Sequence, residues 1–242
     1  MRSMQKTLYV LICLLFVMTV LFPVGAVVSD FFGYHFVLTS VEGFSAFTAV
    51  LSFVTVILGY IFNISPKSRT VSVLSVLITP LSFVNSLFLM ISVFDNATPL
   101  IFLCIIVLVG CSLILTAKYG RPMVMKIISL ILSVLLIFPL LCMSFFVFVL
   151  GPFGQDTVVD TIDSPNGKYT AQIIASSQGA LGGDTVVNVC HGKKNVFDLL
   201  IFRIEEKTRR VYIGNWGEFN NMDIYWEDDH TLFINSVEYI IE

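Results

Sequence analysis

The stretch IISLILSVLLIFPLLCMSFFVFVL, residues 127–150, decides how this chain is organised. Its 24 residues contain no Asp, Glu, Lys, Arg or His. At 1.5 Å per residue, a helix of this length crosses a hydrocarbon core of about 30 Å. The sequence before it is equally apolar, whereas residues 151–242 are polar with alternating hydrophobicity. The run therefore separates a predicted membrane part, residues 1–150, from a predicted soluble part, residues 151–242.

The composition is that of an integral membrane protein. Of the 242 residues, 56% are hydrophobic and 13% are charged, whereas about a quarter of the residues of an ordinary soluble domain are charged. The lipid bilayer is therefore the first predicted partner. Residues 1–150 hold seven basic and three acidic residues, a net charge of +4, and residues 151–242 hold seven basic and fourteen acidic residues, a net charge of −7. An acidic soluble part repels nucleic acid, so nucleic-acid binding is not expected.

Five apolar runs in the membrane part have the length of a spanning helix. None of them contains Asp, Glu, Lys, Arg or His. The sequence therefore predicts an α-helical transmembrane bundle of five helices, followed by a small antiparallel all-β domain. The predicted spans are residues 8–28, 44–62, 71–94, 100–117 and 127–150.

The charges of the connecting segments predict the orientation. Every basic residue of the membrane part falls in the N-terminal tail, the second loop or the fourth loop. The charged residues of the first and third loops are all acidic. Basic loops remain in the cytoplasm. We therefore expect a multi-pass protein of the cell membrane with a cytoplasmic N-terminus and an extracytoplasmic C-terminal domain.

The first apolar run has two interpretations. Arg2 and Lys6, a short apolar stretch and the small residues up to Ala26 are also typical of a signal peptide cleaved after residue 26, which would leave four spans. A retained anchor is favoured because the run continues through Val28 and reaches spanning length.

Small and hydroxyl residues recur at helical spacing in the second and third spans, and the short loop between these spans predicts that they are antiparallel neighbours. Close helix packing is the favoured interpretation, because small residues let backbones approach in lipid. The alternative is a polar route for a substrate. Asn85 is expected to hydrogen-bond a neighbouring helix. The predicted packing residues are Ser45, Thr48, Ser52, Thr55, Gly59, Ser72, Ser75, Thr79 and Ser82, with Ser86 continuing the pattern.

The soluble part has the alternation of antiparallel strands with one buried face. The Pro and Asn-Gly of residues 163–168 predict a tight hairpin turn, and residues 227–230 are predicted to close the last strand pair. The predicted strands lie near residues 157–162, 168–176, 185–190, 195–204, 208–213, 222–227 and 231–240.

Three motifs of the soluble part carry a resemblance to a known family. They are SPNGKY at residues 164–169, QGALGGDT at residues 178–185 and YWEDDHTLFIN at residues 225–235. Together they resemble a family of uncharacterised membrane-anchored proteins of Gram-positive bacteria, classed as a domain of unknown function. The resemblance covers roughly residues 160–240 and implies a fold and a bacterial compartment, but no activity.

The sequence lacks a catalytic constellation. Cys190 and His191 are neighbours whose side chains point to opposite faces of a strand, which is a poor arrangement for a nucleophile and its base. The aspartates Asp156, Asp160 and Asp163 lack calcium-loop spacing. We therefore predict no enzyme activity, no cofactor and no metal site.

Binding residues concentrate on loops, so a glycine-rich loop and an aromatic loop are the predicted contact segments. The leading hypothesis is an extracytoplasmic β domain that binds a protein, a peptide or an envelope component. The alternative is a transport or antimicrobial-peptide resistance or immunity component of the bacterial membrane. The sequence does not indicate an oligomeric state. The predicted contact residues are Gln178, Gly179, Gly182, Gly183, Asp184, Trp216 and Phe219.

Overall fold

The chain divides into two compact units in the computed structural model. The first unit comprises Met1–Val28 and Leu38–Val149, and the second comprises Ser29–Val37 and Leu150–Glu242. The residues that the structure describes are 2–62, 69–92, 98–120, 123–145, 155–178, 182–191 and 197–241.

The first unit is helical. Its described ranges contain five helices long and apolar enough to cross a membrane, which confirms the predicted layout of five long apolar helices. The last predicted span continued to residue 150, and residues 146–154 lie outside the described ranges. The helices are α1 (Arg2–Phe31), α2 (Val41–Ile61), α3 (Arg69–Ser92), α4 (Pro99–Tyr119) and α5 (Met123–Phe145).

The starts of α2 and α4 follow from local chemistry. Ser40 precedes α2, and its side-chain oxygen accepts a hydrogen bond from the Gly43 N–H at 3.0 Å, which satisfies one free donor of the first turn. Pro99 opens α4, where its missing N–H has no intrahelical partner to lose.

The helix α4 lies between α2 and α3 and packs against both, while α5 packs against α3. The expected direct contact between α2 and α3 is present but small, because a short loop limits the distance between two helix ends but does not prevent a third helix from packing between them. Hydroxyl groups bridge α3 and α4. Thr79 Oγ1 donates to the Ser112 carbonyl at 2.9 Å, and Thr116 Oγ1 donates to the Ser75 carbonyl at 2.6 Å.

All nine residues of the predicted packing set are buried. The α2 hydroxyls donate to carbonyls of their own helix, for example Ser52 to Ala49 at 2.7 Å. Gly59 permits the closest approach, because a Cβ atom there would collide with the Tyr119 hydroxyl of α4. Burial therefore comes with close backbone contact, as small residues allow in lipid.

The second unit is built from antiparallel sheets, as predicted. We name them by their place. The central sheet has the order β2-β3-β4-β7, the C-terminal sheet β10-β9-β8 and the loop sheet β1-β6-β5. The strands are β1 (Tyr34–Leu38), β2 (Gln155–Asp163), β3 (Tyr169–Ser177), β4 (Gly183–His191), β5 (Phe197–Asp198), β6 (Phe202–Glu206), β7 (Arg209–Asn215), β8 (Ile224–Trp226), β9 (Thr231–Ile234) and β10 (Val237–Ile240).

Two predicted strands are hairpins in the structure. The segment predicted at residues 231–240 turns at Asn235 and Ser236, whose φ angles are 49° and 66°. Positive φ at both central residues is the geometry of a two-residue hairpin turn, which asparagine tolerates. The segment predicted at residues 195–204 is likewise divided into β5 and β6 by a turn. The predicted turns at residues 163–168 and 227–230 are confirmed as the β2–β3 and β8–β9 connections.

The strand β1 was not predicted. The sequence predicts an outer loop of the membrane part at residues 29–43, whereas in the structure Ser29–Val37 belongs to the second unit and β1 joins the loop sheet. The ring of Phe36 stacks on that of Phe202 in β6 at 4.4 Å between centroids. An aromatic residue of this loop, Phe36, therefore makes a contact within the β unit.

The core of the second unit lies between the central and C-terminal sheets. Alternate residues of β3 and β4 face it, and β9 covers it from the C-terminal sheet. This alternation is the pattern of strands with one face on a core. The buried cluster consists of Tyr169, Ala171, Ile173, Val187, Val189, Leu232, Ile234 and Ile241.

Candidate binding surface of the β unit

The two predicted contact segments meet at one end of the central sheet. Asp184, near the start of β4, pairs with Asn215 at the end of β7. Trp216 follows directly, and its ring lies so close to Gly183 that a Cβ atom there would collide with it. Glycine at position 183 is therefore what lets the indole lie against the strand.

Trp216 and Phe219 lie edge to face, with 5.7 Å between ring centroids. The N–H of Phe219 donates to Thr185 Oγ1 at 3.2 Å, and that hydroxyl donates to the Asn215 carbonyl at 2.8 Å. Phe219 packs against the core, whereas Trp216 is 50% exposed. Of the two predicted aromatic contacts, Trp216 is thus the one that solvent or a ligand reaches.

The carboxylate of Glu218 holds the aromatic loop in place. It accepts hydrogen bonds from the Tyr212 hydroxyl at 2.5 Å, the Asn235 side-chain amide at 2.6 Å and the Asn215 N–H at 2.9 Å. The hydrogen bond to this carboxylate raises the pKa of Tyr212, and burial adds to the shift. Glu218 therefore acts as a structural link between three segments.

Hydrogen bonds join the two described ends of the glycine-rich loop. Gln178 donates from its backbone N–H to the Gly182 carbonyl at 2.7 Å and from its side chain to Asp184 Oδ2 at 3.0 Å. Neighbouring residues of a strand face opposite sides, so the Asp184 side chain lies on the face away from Trp216, which contacts Gly183. Gly182 has a φ of +101°, which favours glycine, and Gly179 lies outside the described residues.

A row of polar residues crosses the sheet at this end. Asp156 of β2 pairs with Ser176 of β3, Ser176 pairs with Asp184 of β4, and Asp184 pairs with Asn215. Paired residues share a face, with roughly 5 Å between neighbouring strands. The predicted loop residue Asp184 and the edge-strand residue Asp156 therefore lie on one face, about 10 Å apart.

The strand β2 is an edge of the central sheet. Its side chains are exposed from Asp156 to Thr161, and Val158 and Val159 are 51% and 47% exposed. A bulge between Val158 and Asp160 interrupts the pairing with β3, and the Asp160 carboxylate accepts a hydrogen bond from the Thr161 N–H at 2.8 Å. Among the described residues, β2 pairs on one side only, with β3, and the Trp226 indole N–H donates to the Ile162 carbonyl at 3.0 Å. The strand pairing, and not the sequence, reveals that these aspartates lie along an edge of the sheet.

Cys190 and His191 are held apart by the strand. The Cys190 thiol is buried and contacts the Thr170 carbonyl at 3.5 Å. The His191 ring lies 4.9 Å from that of Tyr169, and its Nδ1 is 3.0 Å from a Glu206 carboxylate oxygen. In the described part of the chain, no group of three His, Cys, Asp or Glu side chains is arranged to hold a metal ion.

The sequence did not predict one ion pair of the structure, and it predicted one hydrogen bond that the described residues do not form. Lys207 of the β unit forms an ion pair with Asp30 at 2.5 Å, a contact between residues far apart in sequence. Asn85 was expected to bond a neighbouring helix, but it is fully buried and its side-chain oxygen and nitrogen have no hydrogen-bond partner among the described residues. The sequence around Asn85 is the same for a side-chain amide that bonds a neighbouring helix and for one that does not.

The resemblance to the Gram-positive membrane-anchored family stays a prediction, because comparison of this chain with protein-family models, with curated proteins and with solved structures finds no match.

Proposed function

We propose that this protein is a multi-pass membrane protein whose β unit lies outside the cytoplasm and binds a cationic peptide or protein segment along the edge strand β2. The proposal has two parts, the side of the membrane and the ligand. Each part rests on a different feature of the second unit.

The pairing of β1 with β6 supports the orientation. The strand β1 directly follows α1, and β6 follows all five helices. Strands of one sheet lie on the same side of a bilayer, so the first loop and the C-terminal part share a side, as the four crossings between them require. The basic residues on the alternate segments then assign the other side to the cytoplasm.

A topology measurement tests this first part. External protease added to intact cells should remove a C-terminal tag while an N-terminal tag stays protected. Removal of the N-terminal tag, or protection of the C-terminal tag until the membrane is opened, would contradict the orientation.

The exposed edge of β2 is the observation that supports a cationic, extended peptide as the ligand. An edge strand offers unpaired backbone groups, and adding an extended peptide to such an edge is a common mode of recognition. Val158 and Val159 supply apolar contact, and Asp156 and Asp160 supply negative charge at the same edge. The net charge of −7 over residues 151–242 further favours a cationic ligand.

The bonds made by the buried hydroxyls support packing as the role of the helices. Ser75 and Ser82 of α3 donate to carbonyls of their own helix at 2.8 Å, and Thr79 bonds α4. The Thr79 hydroxyl thus contributes to the contact between α3 and α4, and the Ser75 and Ser82 hydroxyls have no donor left to offer a substrate.

A peptide-binding measurement tests the ligand class. The full chain in nanodiscs of uncharged lipid is titrated into a fluorescent peptide of alternating lysine and valine, with a glutamate–valine peptide as the comparison. We expect binding of the lysine peptide only, weakened by salt. We also expect slower hydrogen exchange of the β2 amides when it is bound.

Matched charge variants locate the site. Each exposed carboxylate that contacts a cationic ligand contributes about 0.2–1 kcal/mol, so the double variant Asp156→Asn/Asp160→Asn should bind about twofold to thirtyfold more weakly. The control Asp198→Asn/Asp223→Asn removes the same charge away from β2 and should bind nearly as well as the unaltered chain. Equal losses in both variants, or equal binding of both peptides, would refute the proposal.

A further inference from the structure

The turn between β5 and β6 presents an apolar surface to solvent. The Leu199 N–H donates to the Phe202 carbonyl at 2.9 Å, which closes a tight turn. Leu200 at its tip is 94% exposed, and Phe197, Leu199 and Ile201 are 62%, 44% and 39% exposed. Single exposed apolar residues are ordinary, but four of them in one turn mark a contact surface.

The bonds of Lys207 join one end of β6 to Asp30 and Gly33, which belong to the same unit. Its N–H donates to the Gly33 carbonyl at 3.1 Å, and its ammonium group pairs with the Asp30 carboxylate at 2.5 Å. At the other end of β6, Phe202 stacks on Phe36. The strand β6 therefore runs antiparallel to β1, and the β5–β6 turn lies beyond the end of β1 that leads into α2.

Both ends of β1 lead within a few residues into helices of spanning length. Helix α1 ends at Phe31 and β1 begins at Tyr34, whereas β1 ends at Leu38 and α2 begins at Val41. A strand connected in this way lies at the boundary of the bilayer. Neighbouring strands are about 5 Å apart, so β5 lies within about 10 Å of β1.

Exposed aromatic side chains lie at the end of α1 and the start of β1. Phe31, Phe32 and Tyr34 are 85%, 68% and 41% exposed. Aromatic residues at the ends of spanning helices lie at the level of the lipid headgroups. The loop sheet thus carries exposed apolar residues at both ends, these aromatic residues near the start of β1 and the β5–β6 turn beyond its end.

We propose that the β5–β6 turn is a membrane-contacting element, in which Leu199, Leu200 and Ile201 insert into the lipid interface beyond the end of β1. The occupant of this apolar surface is the bilayer of the membrane that α1 crosses. Asp198, the charged residue of the turn region, remains at headgroup level. This contact is independent of the peptide-binding proposal, because it involves the loop sheet and not β2.

Fluorescence quenching by brominated lipid tests the contact. The variant Leu200→Trp is reconstituted as the full chain into nanodiscs with and without bromine on the acyl chains. We expect brominated lipid to quench a larger share of its emission than in the unaltered chain, whose Trp216 and Trp226 provide the background. The control Tyr225→Trp places an added indole on β8 at an exposed position and should show no extra quenching.

Two results would overturn the proposal. If the indole at position 200 is quenched by iodide in solution and not by brominated lipid, the turn is in water. If it is shielded from both, the turn is covered by protein, such as a second copy of the chain. If Leu200→Trp fails to fold, Phe197→Trp on the same hairpin allows the same measurement with the same two refuting results.

Discussion

Replacement of Asn85 by leucine is expected to stabilise the helical unit. The Asn85 side chain is fully buried, and neither its oxygen nor its nitrogen has a hydrogen-bond partner in the part of the chain that the structure describes. A buried polar group without a partner costs about 1–3 kcal/mol. Leucine branches at the same carbon as asparagine and has the same number of side-chain heavy atoms, so the replacement removes this cost without leaving a cavity, although its bulkier methyl groups offset part of the gain.

The expected gain for Asn85→Leu is therefore about 1–3 kcal/mol in the free energy of unfolding. The lower end of the range is favoured in a membrane, because the unfolded helices also find partners for their polar groups. Ser82→Ala provides the matched comparison. Ser82 is equally buried, but its hydroxyl donates to the Ile78 carbonyl at 2.8 Å, so its removal should cost about 0.5–1.5 kcal/mol.

The assay is reversible unfolding of the full chain in mixed micelles by increasing dodecyl sulfate, followed by helical circular dichroism. The two variants should shift the midpoint in opposite directions. A loss of stability in Asn85→Leu comparable to or larger than that of Ser82→Ala would refute the reasoning. That result would mean that the amide is satisfied in the native protein, for example by an internal water molecule or a ligand.

Three further predictions concern close contacts and pH. Gly59→Ala should destabilise the bundle by about 1–3 kcal/mol because its Cβ atom would collide with the Tyr119 hydroxyl, and adding Tyr119→Leu should recover part of the loss in the same unfolding assay. Backbone hydrogen bonds, chiefly from the His230 N–H, lower the pKa of Asp228 below its ordinary 3.8. The stabilising contribution of this carboxylate is therefore complete above pH 3.8 and is lost as the pH falls through the lower pKa of the folded state. Asp228→Asn should flatten the acid limb of a profile of stability against pH. The hydrogen bond to Glu218 raises the pKa of Tyr212 above its ordinary 10.0. The contribution of the Tyr212 hydroxyl to stability is therefore present below pH 10.0 and is lost as the pH rises through the raised pKa of the folded state. Tyr212→Phe should flatten the alkaline limb of the same profile, and an unchanged limb would contradict this coupling.

The long helices and the hairpin turns are the features best predicted from the residues. A run without charge must satisfy its backbone within one segment when it lies in lipid, so each of the five helices depends on its own sequence. The turn at residues 163–168 is equally local, since Gly167 adopts a φ of 66° that glycine allows. The hairpin at Asn235 and Ser236 was missed because only two residues separate the apolar Ile234 and Val237, although the alternation shifts by one position there.

The contact surface was predicted as two separate loops. Gly183, Trp216 and Phe219 meet on one face, as their loop positions allowed, but Asp184 faces the other way. Strand parity could have revealed the division if the start of β4 had been known to the residue. The link from Asp184 to Asp156 could not be predicted, because it depends on which strands pair.

The local pattern of residues was thus sufficient for the class of protein, the five apolar helices, the change to strands after the last of them and most of the turns. Hydrophobic length and alternation are properties of short segments, and they act before distant parts of the chain meet. The choice of neighbours was not contained in these patterns. The packing of α4 between α2 and α3, the recruitment of β1 into the loop sheet and the pairing of Lys207 with Asp30 join residues far apart in sequence. Such contacts depend on shape and register in three dimensions, and many alternative pairings satisfy the same local pattern equally well.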